Sequence, residues 1–229
     1  EGAWKSSADR SPFHTKFMIK SLTDTMKNEV RLLKAFLKAN EIYGAEIAKQ
    51  GFSGYVAEVL ILNFGTFENV LKEFSHLKAG QIIGNTLKKF DTKIVIIDPI
   101  DGNRNLGAAI SVENIGRFVL SARAFLRDPK ITFFTAKKKI VKLNTKNILV
   151  LSFRYKSRSP DIIWGQIKRA TTSLATQMNQ AGFCVIKQAA TISNDNIASL
   201  LFLLQSNKID ELQTRDRKST RLNSSHSSV

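Results

Sequence analysis

Apolar residues return every three or four positions between Met26 and Asn40. Met26, Val30, Leu33, Phe36 and Leu37 share one side of a helical wheel, while Lys27, Glu29, Arg31, Lys34 and Lys38 fall elsewhere. This spacing predicts an amphipathic helix. A glycine-punctuated link, Gly44 to Gly54, leads to a stretch in which Val56, Val59, Leu60, Phe64, Phe67, Val70, Leu71 and Phe74 predict a single second helix packed against the first. After a polar, Gly-containing run, Ile94-Val-Ile-Ile97 ends at Asp98-Pro99 and reads as a short buried strand. Helical spacing resumes from Ser111 to Arg127 through Val112, Ile115, Phe118, Val119, Ala122, Phe125 and Leu126, and Asp128-Pro129 closes it.

The pattern changes beyond the lysine-rich Lys137 to Lys142 and the polar Asn144 to Asn147, the expected seam between two units. Ile148 to Phe153 reads as a strand. Ser159-Pro160 supplies a cap and a first-turn proline for a helix carrying Ile163, Ile167, Ala170, Leu174 and Met178. Phe183 to Ile186 and Ile197 to Leu204 read as two more strands, the second also compatible with a helix. The order predicts an α+β fold: a mainly helical first domain, then a small α/β domain with its helix on one face of a sheet. No internal repeat is visible.

Composition narrows the classes. With 229 residues and 43% hydrophobic content the chain can bury a core. Its net charge of +16 makes a polyanion the natural partner, nucleic acid ahead of an anionic membrane surface, because a Lys or Arg placed on a phosphate releases condensed counterions. No apolar run approaches the ~20 residues a membrane span needs, so no membrane partner is expected. The single cysteine, Cys184, has no companion for a disulfide or a metal site, which suits a reducing cytoplasm, and Gly182-Phe-Cys-Val-Ile186 suggests a small buried side chain. The chain opens Glu1-Gly-Ala-Trp4 with no initiator Met, so its natural start is expected upstream. Asp216 to His226, DRKSTRLNSSH, translates a codon string resembling a sequencing-library adapter, and residues 216–229 are expected to be read-through rather than native.

Unusual residues concentrate between Asp9 and Tyr55. Ser11 and His14, around the rigid Pro12, offer a hydroxyl and an imidazole; Lys34 offers an ammonium, Tyr43 a phenol, and Gly51-Phe-Ser-Gly-Tyr55 a hydroxyl in a loop before a helix. Such donors, next to the unpaired N–H groups of a helix start, suit a triphosphate. Each also has a plainer use: Ser53 as an N-cap, His14 in packing, Lys34 as a solvated charge, Tyr43 at a core edge, Gly51 and Gly54 in a turn. Asp98 and Asp101 flank a proline turn and are expected to stabilise it rather than bind metal.

Asn28-Glu-Val-Arg-Leu-Leu-Lys-Ala-Phe-Leu-Lys-Ala-Asn40, Ile42-Tyr-Gly-Ala-Glu46 and Gly51-Phe-Ser-Gly-Tyr-Val-Ala-Glu58 resemble the neck of archaeal-type (class I) CCA-adding tRNA nucleotidyltransferases. Asp9-Arg-Ser-Pro-Phe-His14 resembles the segment entering that neck from the catalytic head, and Ile97-Asp-Pro-Ile-Asp-Gly-Asn-Arg-Asn105 the family's segment ending in Arg-Asn. The resemblance implies residues 1–15 as a linker from a head that this sequence lacks, 16–134 as the neck, and 135–215 as a truncated tRNA-binding body. It implies triphosphate contacts for His14, Lys34 and Tyr43, with Ser11 at a hydroxyl position and Ser53 and Tyr55 as weaker candidates. Arg104 would read the Watson–Crick edge of the incoming base, for which a rigid fork of donors suits Arg better than Lys. In the body, Lys137, Lys138, Lys139, Arg154, Lys156, Arg158, Lys168 and Arg169 would meet phosphates of the tRNA acceptor stem and 3′ end.

The implied substrates are CTP and ATP. The implied cofactor is Mg2+, held by carboxylates of the head; no Gly-Ser loop with an acidic pair occurs in this sequence, so neither a catalytic residue nor a metal ligand is expected in it. A homodimer is compatible with the reading. The alternatives are another template-independent nucleotidyltransferase, of poly(A) polymerase or oligoadenylate synthetase type, and a non-catalytic RNA-binding module.

Overall fold

The computed structural model describes residues 7–135 and 147–209. The chain divides into two compact units, Glu1–Val141 and Lys142–Val229, and its described parts form an α+β fold.

The first unit starts with α1 (Ser7–Ser21), which contains Pro12, so the segment expected as a linker is helical from Ser7 onward. Thr23 then caps α2 (Asp24–Ala39) by accepting the Met26 N–H on its hydroxyl, with Asp24 in the first turn and Lys38 in the last complementing the helix dipole. Val30, Leu33, Phe36 and Leu37 bury its apolar stripe.

The stretch predicted as one helix from Val56 to Phe74 is two, α3 (Gly54–Phe64) and α4 (Phe67–Ser75). Gly65, at φ +82°, takes a backbone conformation that ends α3, and the Thr66 hydroxyl accepts the Asn69 N–H to start α4. Apolar periodicity runs across this break because both helices face the same core. That core is aromatic: the Phe36 ring lies 5.4 Å from Phe67, 5.8 Å from Phe125 and 6.2 Å from Phe118, and Phe74 lies 4.3 Å from Phe118.

A small three-stranded sheet leans on these helices. Strands β1 (Gln81–Ile83) and β2 (Ile94–Asp98) pair in parallel, and β3 (Asp101–Asn105) returns antiparallel to β2. Every residue of β2 is buried, including Asp98. Asn105 ties β3 back to β2: its Oδ1 accepts from Ile96 N and Gly107 N, and its Nδ2 donates to Thr92 Oγ1 and Ile94 O. A short 3-10 turn and α5 (Val112–Arg127), capped by Ser111, complete the core.

In the second unit β4 (Ile148–Arg154) and β5 (Val185–Ile192) both pair antiparallel with the central β6 (Ile197–Leu204). β6 is a strand throughout, which settles its ambiguity. Its alternate residues Ala198, Leu200, Phe202 and Leu204 are buried on the face covered by α6 (Pro160–Gln180), which contributes Ile163, Ile167, Thr171 and Ala175. Cys184 is exposed, contrary to expectation: Phe183 and Val185 on either side of it pack against the core, so alternation turns Cys184 to the opposite, open face. No helix among the described residues is long and apolar enough to cross a membrane.

Candidate functional site

The loop that precedes α3 is built on backbone bonds. Gly44 N donates to Phe52 O at 2.9 Å, Phe52 N to Ile42 O at 2.8 Å, and Gly51 N to Gly44 O at 2.7 Å, so residues 42–52 close on themselves. A Cβ on Gly51 would collide with the Ile42 carbonyl. This compact loop delivers Ser53 to the start of α3, where its Oγ accepts the Val56 N–H at 3.0 Å.

Two groups of side chains gather on the first turns of α3. In the first, Lys34 donates to Glu58 at 2.7 Å, both side chains being about a quarter exposed at 26% and 27%. A Cβ built on Gly54 would lie 2.9 Å from the Tyr43 hydroxyl and 3.6 Å from the Lys34 ammonium, so both polar ends sit over the opening turn of the helix. Lys38 covers the Tyr43 ring from 5.0 Å.

The second group surrounds Asp98, whose side chain is wholly buried (0% exposed). Its Oδ1 accepts from the Tyr55 hydroxyl at 2.9 Å and from the Ile100 N–H at 3.1 Å. Its Oδ2 accepts from His14 Nε2 at 3.0 Å and from an Arg104 terminal nitrogen at 3.1 Å. Four donors match the acceptor capacity of a carboxylate, and the guanidinium supplies its counter-charge, which is what allows a buried charge to persist. Because a carboxylate only accepts, Nε2 of His14 carries the shared hydrogen. The His14 ring also stacks on Tyr55 with centroids 4.0 Å apart. Burial, then the hydrogen bond to Asp98 and the charge on that carboxylate, hold the Tyr55 phenol above its ordinary pKa, so it stays a neutral donor.

His14, Tyr55 and Arg104 are thus brought onto one carboxylate, and Lys34, Tyr43 and Ser53 onto the start of the adjoining helix. The Ser11 side chain lies outside the described residues, as do Lys137, Lys138 and Lys139. Arg154, Lys156, Arg158 and Arg169 are exposed, and Lys168 is half-buried. They do not form one face: by strand alternation Arg154 points away from the side of the sheet that α6 covers, whereas Lys168 and Arg169 belong to α6.

Sequence reasoning missed Asp98 as a shared acceptor, treating it as a turn former. The signal was present, since a carboxylate that directly continues a fully apolar strand must find partners or neutralise. Glu58 and Asn105 were likewise not singled out. Among the described residues no group of three or more His, Cys, Asp or Glu side chains is arranged to hold a metal ion. Asp98 and Glu58 are already engaged, so the site as built does not fit magnesium.

Residues 28–135 match the family described as tRNA nucleotidyltransferase, second domain, and residues 144–218 match the CCA-adding enzyme, C-terminal domain. A CCA-adding enzyme of Saccharolobus islandicus is 41% identical over 195 residues, which cover 84% of this chain and 47% of that relative. Those of Picrophilus torridus and Pyrobaculum islandicum are 37% and 36% identical over 203 residues, covering 87% of this chain and 47% and 48% of theirs. The chain therefore spans about half the length of the curated relatives it matches.

Proposed function

Because the chain belongs to the CCA-adding enzyme family, of which it carries the second and C-terminal domains, we propose that its protein adds C, C and A to the tRNA 3′ end from CTP and ATP, releasing pyrophosphate. The residues of this chain bind the incoming nucleotide and the tRNA. The observation that carries the reading is the joining of His14 and Arg104 at Asp98, beside a helix start crowned by Lys34 and Tyr43.

The Lys34 ammonium, the Tyr43 hydroxyl and the first N–H groups of α3 face an anion, and each strengthens as a triphosphate excludes water. Lys34 is held by Glu58 until a phosphate replaces that partner. His14 approaches from α1 with its Nδ1 edge directed away from Asp98. Arg104 spends one terminal nitrogen on Asp98, and its side chain is 35% exposed, leaving donors of the fork for a base. Cytosine and adenine each present an unprotonated ring nitrogen on the pairing edge where uracil and guanine present N–H, so a fixed donor accepts the first two and repels the others. Ser11, Ser53 and Tyr55 complete the set, Tyr55 through the orientation of His14.

Magnesium would activate the tRNA 3′-hydroxyl and neutralise the transferring phosphate. Its ligands belong to the half of the family's length outside this chain. The exposed Arg154, Lys156 and Arg158, with Lys137 to Lys139, contact tRNA phosphates without reading sequence; Lys168 and Arg169, on α6, join them only if the RNA wraps around the edge of the unit.

The full-length protein, given tRNA lacking CCA together with CTP and ATP, adds three nucleotides and stops. A long homopolymer, or no extension, overturns the reading. Arg104→Ala lowers the preference for CTP over UTP about tenfold or more while tRNA affinity stays unchanged.

A further inference from the structure

We propose that Asp98 is a positioning residue for nucleotide selection: its one buried carboxylate fixes the base-reading Arg104 and the triphosphate-facing His14 relative to each other, an inference that rests on the nucleotide-site reading above.

The two oxygens of Asp98 have different tasks. Oδ1 is anchored by the backbone N–H of Ile100 and by the Tyr55 hydroxyl, so the plane of the carboxylate is set by the turn after β2 and by α3. Oδ2 is then the common acceptor for side chains from two other elements, His14 of α1 and Arg104 of β3. At 0% exposure no water competes for these bonds. Movement of either side chain therefore alters the acceptor that the other uses.

The chemistry of the donors makes the claim specific. In Asp98→Asn the backbone N–H of Ile100 cannot become an acceptor, so it draws the amide oxygen to its own side. The amide nitrogen then faces His14 and Arg104. His14 can accept from it by changing tautomer, but Arg104 has only donors and is repelled. The substitution releases the base-reading group and keeps the triphosphate-facing one. A carboxylate that merely supported the fold would lower stability without touching the choice of base.

In the full-length protein, Asp98→Asn is expected to lower the CTP-over-UTP ratio of kcat/KM about tenfold or more, while KM for CTP rises less. Combined with Arg104→Ala it is expected to lower that ratio no further than Arg104→Ala does alone. A folded Asp98→Asn protein whose ratio stays within about twofold of wild type overturns the proposal. Arginine side-chain NMR on the wild-type chain without nucleotide provides a second readout that needs no variant to fold. The Arg104 guanidinium, assigned by its disappearance in Arg104→Lys, should rotate slowly about its Cζ–Nε bond. Free rotation overturns the proposal even if Asp98→Asn cannot be purified. If the wild-type protein adds no nucleotides to tRNA, the functional reading falls, and the NMR measurement still decides whether Asp98 holds Arg104.

Discussion

The Tyr55 ring lies on the His14 imidazole with planes 25° apart, and the Tyr55 hydroxyl reaches Asp98, the carboxylate that also binds His14. One aromatic residue thus supports the imidazole from its face while sharing the acceptor at its edge. Tyr55→Phe keeps the stack and removes one donor to a charged acceptor, with an expected loss of about 2 kcal/mol in unfolding free energy. The phenol also imposes a pH dependence. Its pKa is raised in the folded protein, so its contribution is fully present below the unfolded value of about 10 and declines as pH rises beyond it, because only the unfolded chain then releases the proton. Denaturation followed at successive pH values should show an alkaline decline that is smaller in Tyr55→Phe. An identical decline in the two proteins removes Tyr55 as its source.

Ser53 separates capping from phosphate contact. Its Oγ accepts the Val56 N–H, so Ser53→Ala should cost about 1 kcal/mol of stability. Asp is an equally good cap and carries a charge that suits the helix start. In the full-length protein Ser53→Asp should therefore retain stability while raising KM for CTP about tenfold or more, since that charge would face the proposed triphosphate site. An unchanged KM in Ser53→Asp places the phosphates elsewhere.

Gly54 is a site where stability and binding should part company. Gly54 is the first residue of α3, where alanine loses less chain entropy on folding than glycine, yet its Cβ would press on the Tyr43 hydroxyl at 2.9 Å. Gly54→Ala should leave the melting temperature near wild type while displacing Tyr43, with KM for CTP rising roughly fivefold, the factor given by about 1 kcal/mol of lost contact. Equal KM values in a folded Gly54→Ala protein would show that Tyr43 does not touch the nucleotide.

These variants mark where sequence reading succeeds. The amphipathic faces of α2 and α5 follow from periodicity, because each helix buries one side against a local core; β6 carries apolar residues at both odd and even positions, so its alternation of burial shows only in the sheet. The division of α3 from α4 does not, since Gly65 and Thr66 interrupt the backbone without interrupting the apolar stripe. His14, Lys34, Tyr43 and Arg104 stand out as candidates through their setting in family-like segments. Their arrangement does not: an aspartate that continues an apolar strand signals a need for partners but not their identity, and His14 and Tyr55 stand 84 and 43 positions from it, while Arg104 alone lies close by in sequence. Cys184 fails for a related reason, as its exposure depends on which alternate residues, Phe183 and Val185, face the core.

The basic residues of the second unit make the last test. Arg154, Lys156 and Arg158 are exposed along the end of β4 and the connection to α6, whereas Arg169 lies on α6 itself. If phosphates run past the end of β4, Arg154→Ala, Lys156→Ala and Arg158→Ala should each weaken tRNA binding. Each should also reduce the slope of log affinity against log salt by about 1, the signature of one released counterion. The loss should be the same for tRNAs of different sequence, because phosphate contacts position without specifying. Arg169→Ala should leave the slope unchanged if the RNA keeps to that side, since α6 covers the opposite face of the sheet from Arg154. Equal effects at all four positions would instead require RNA to wrap around the edge of the unit, and equal insensitivity would remove this unit from the tRNA interface.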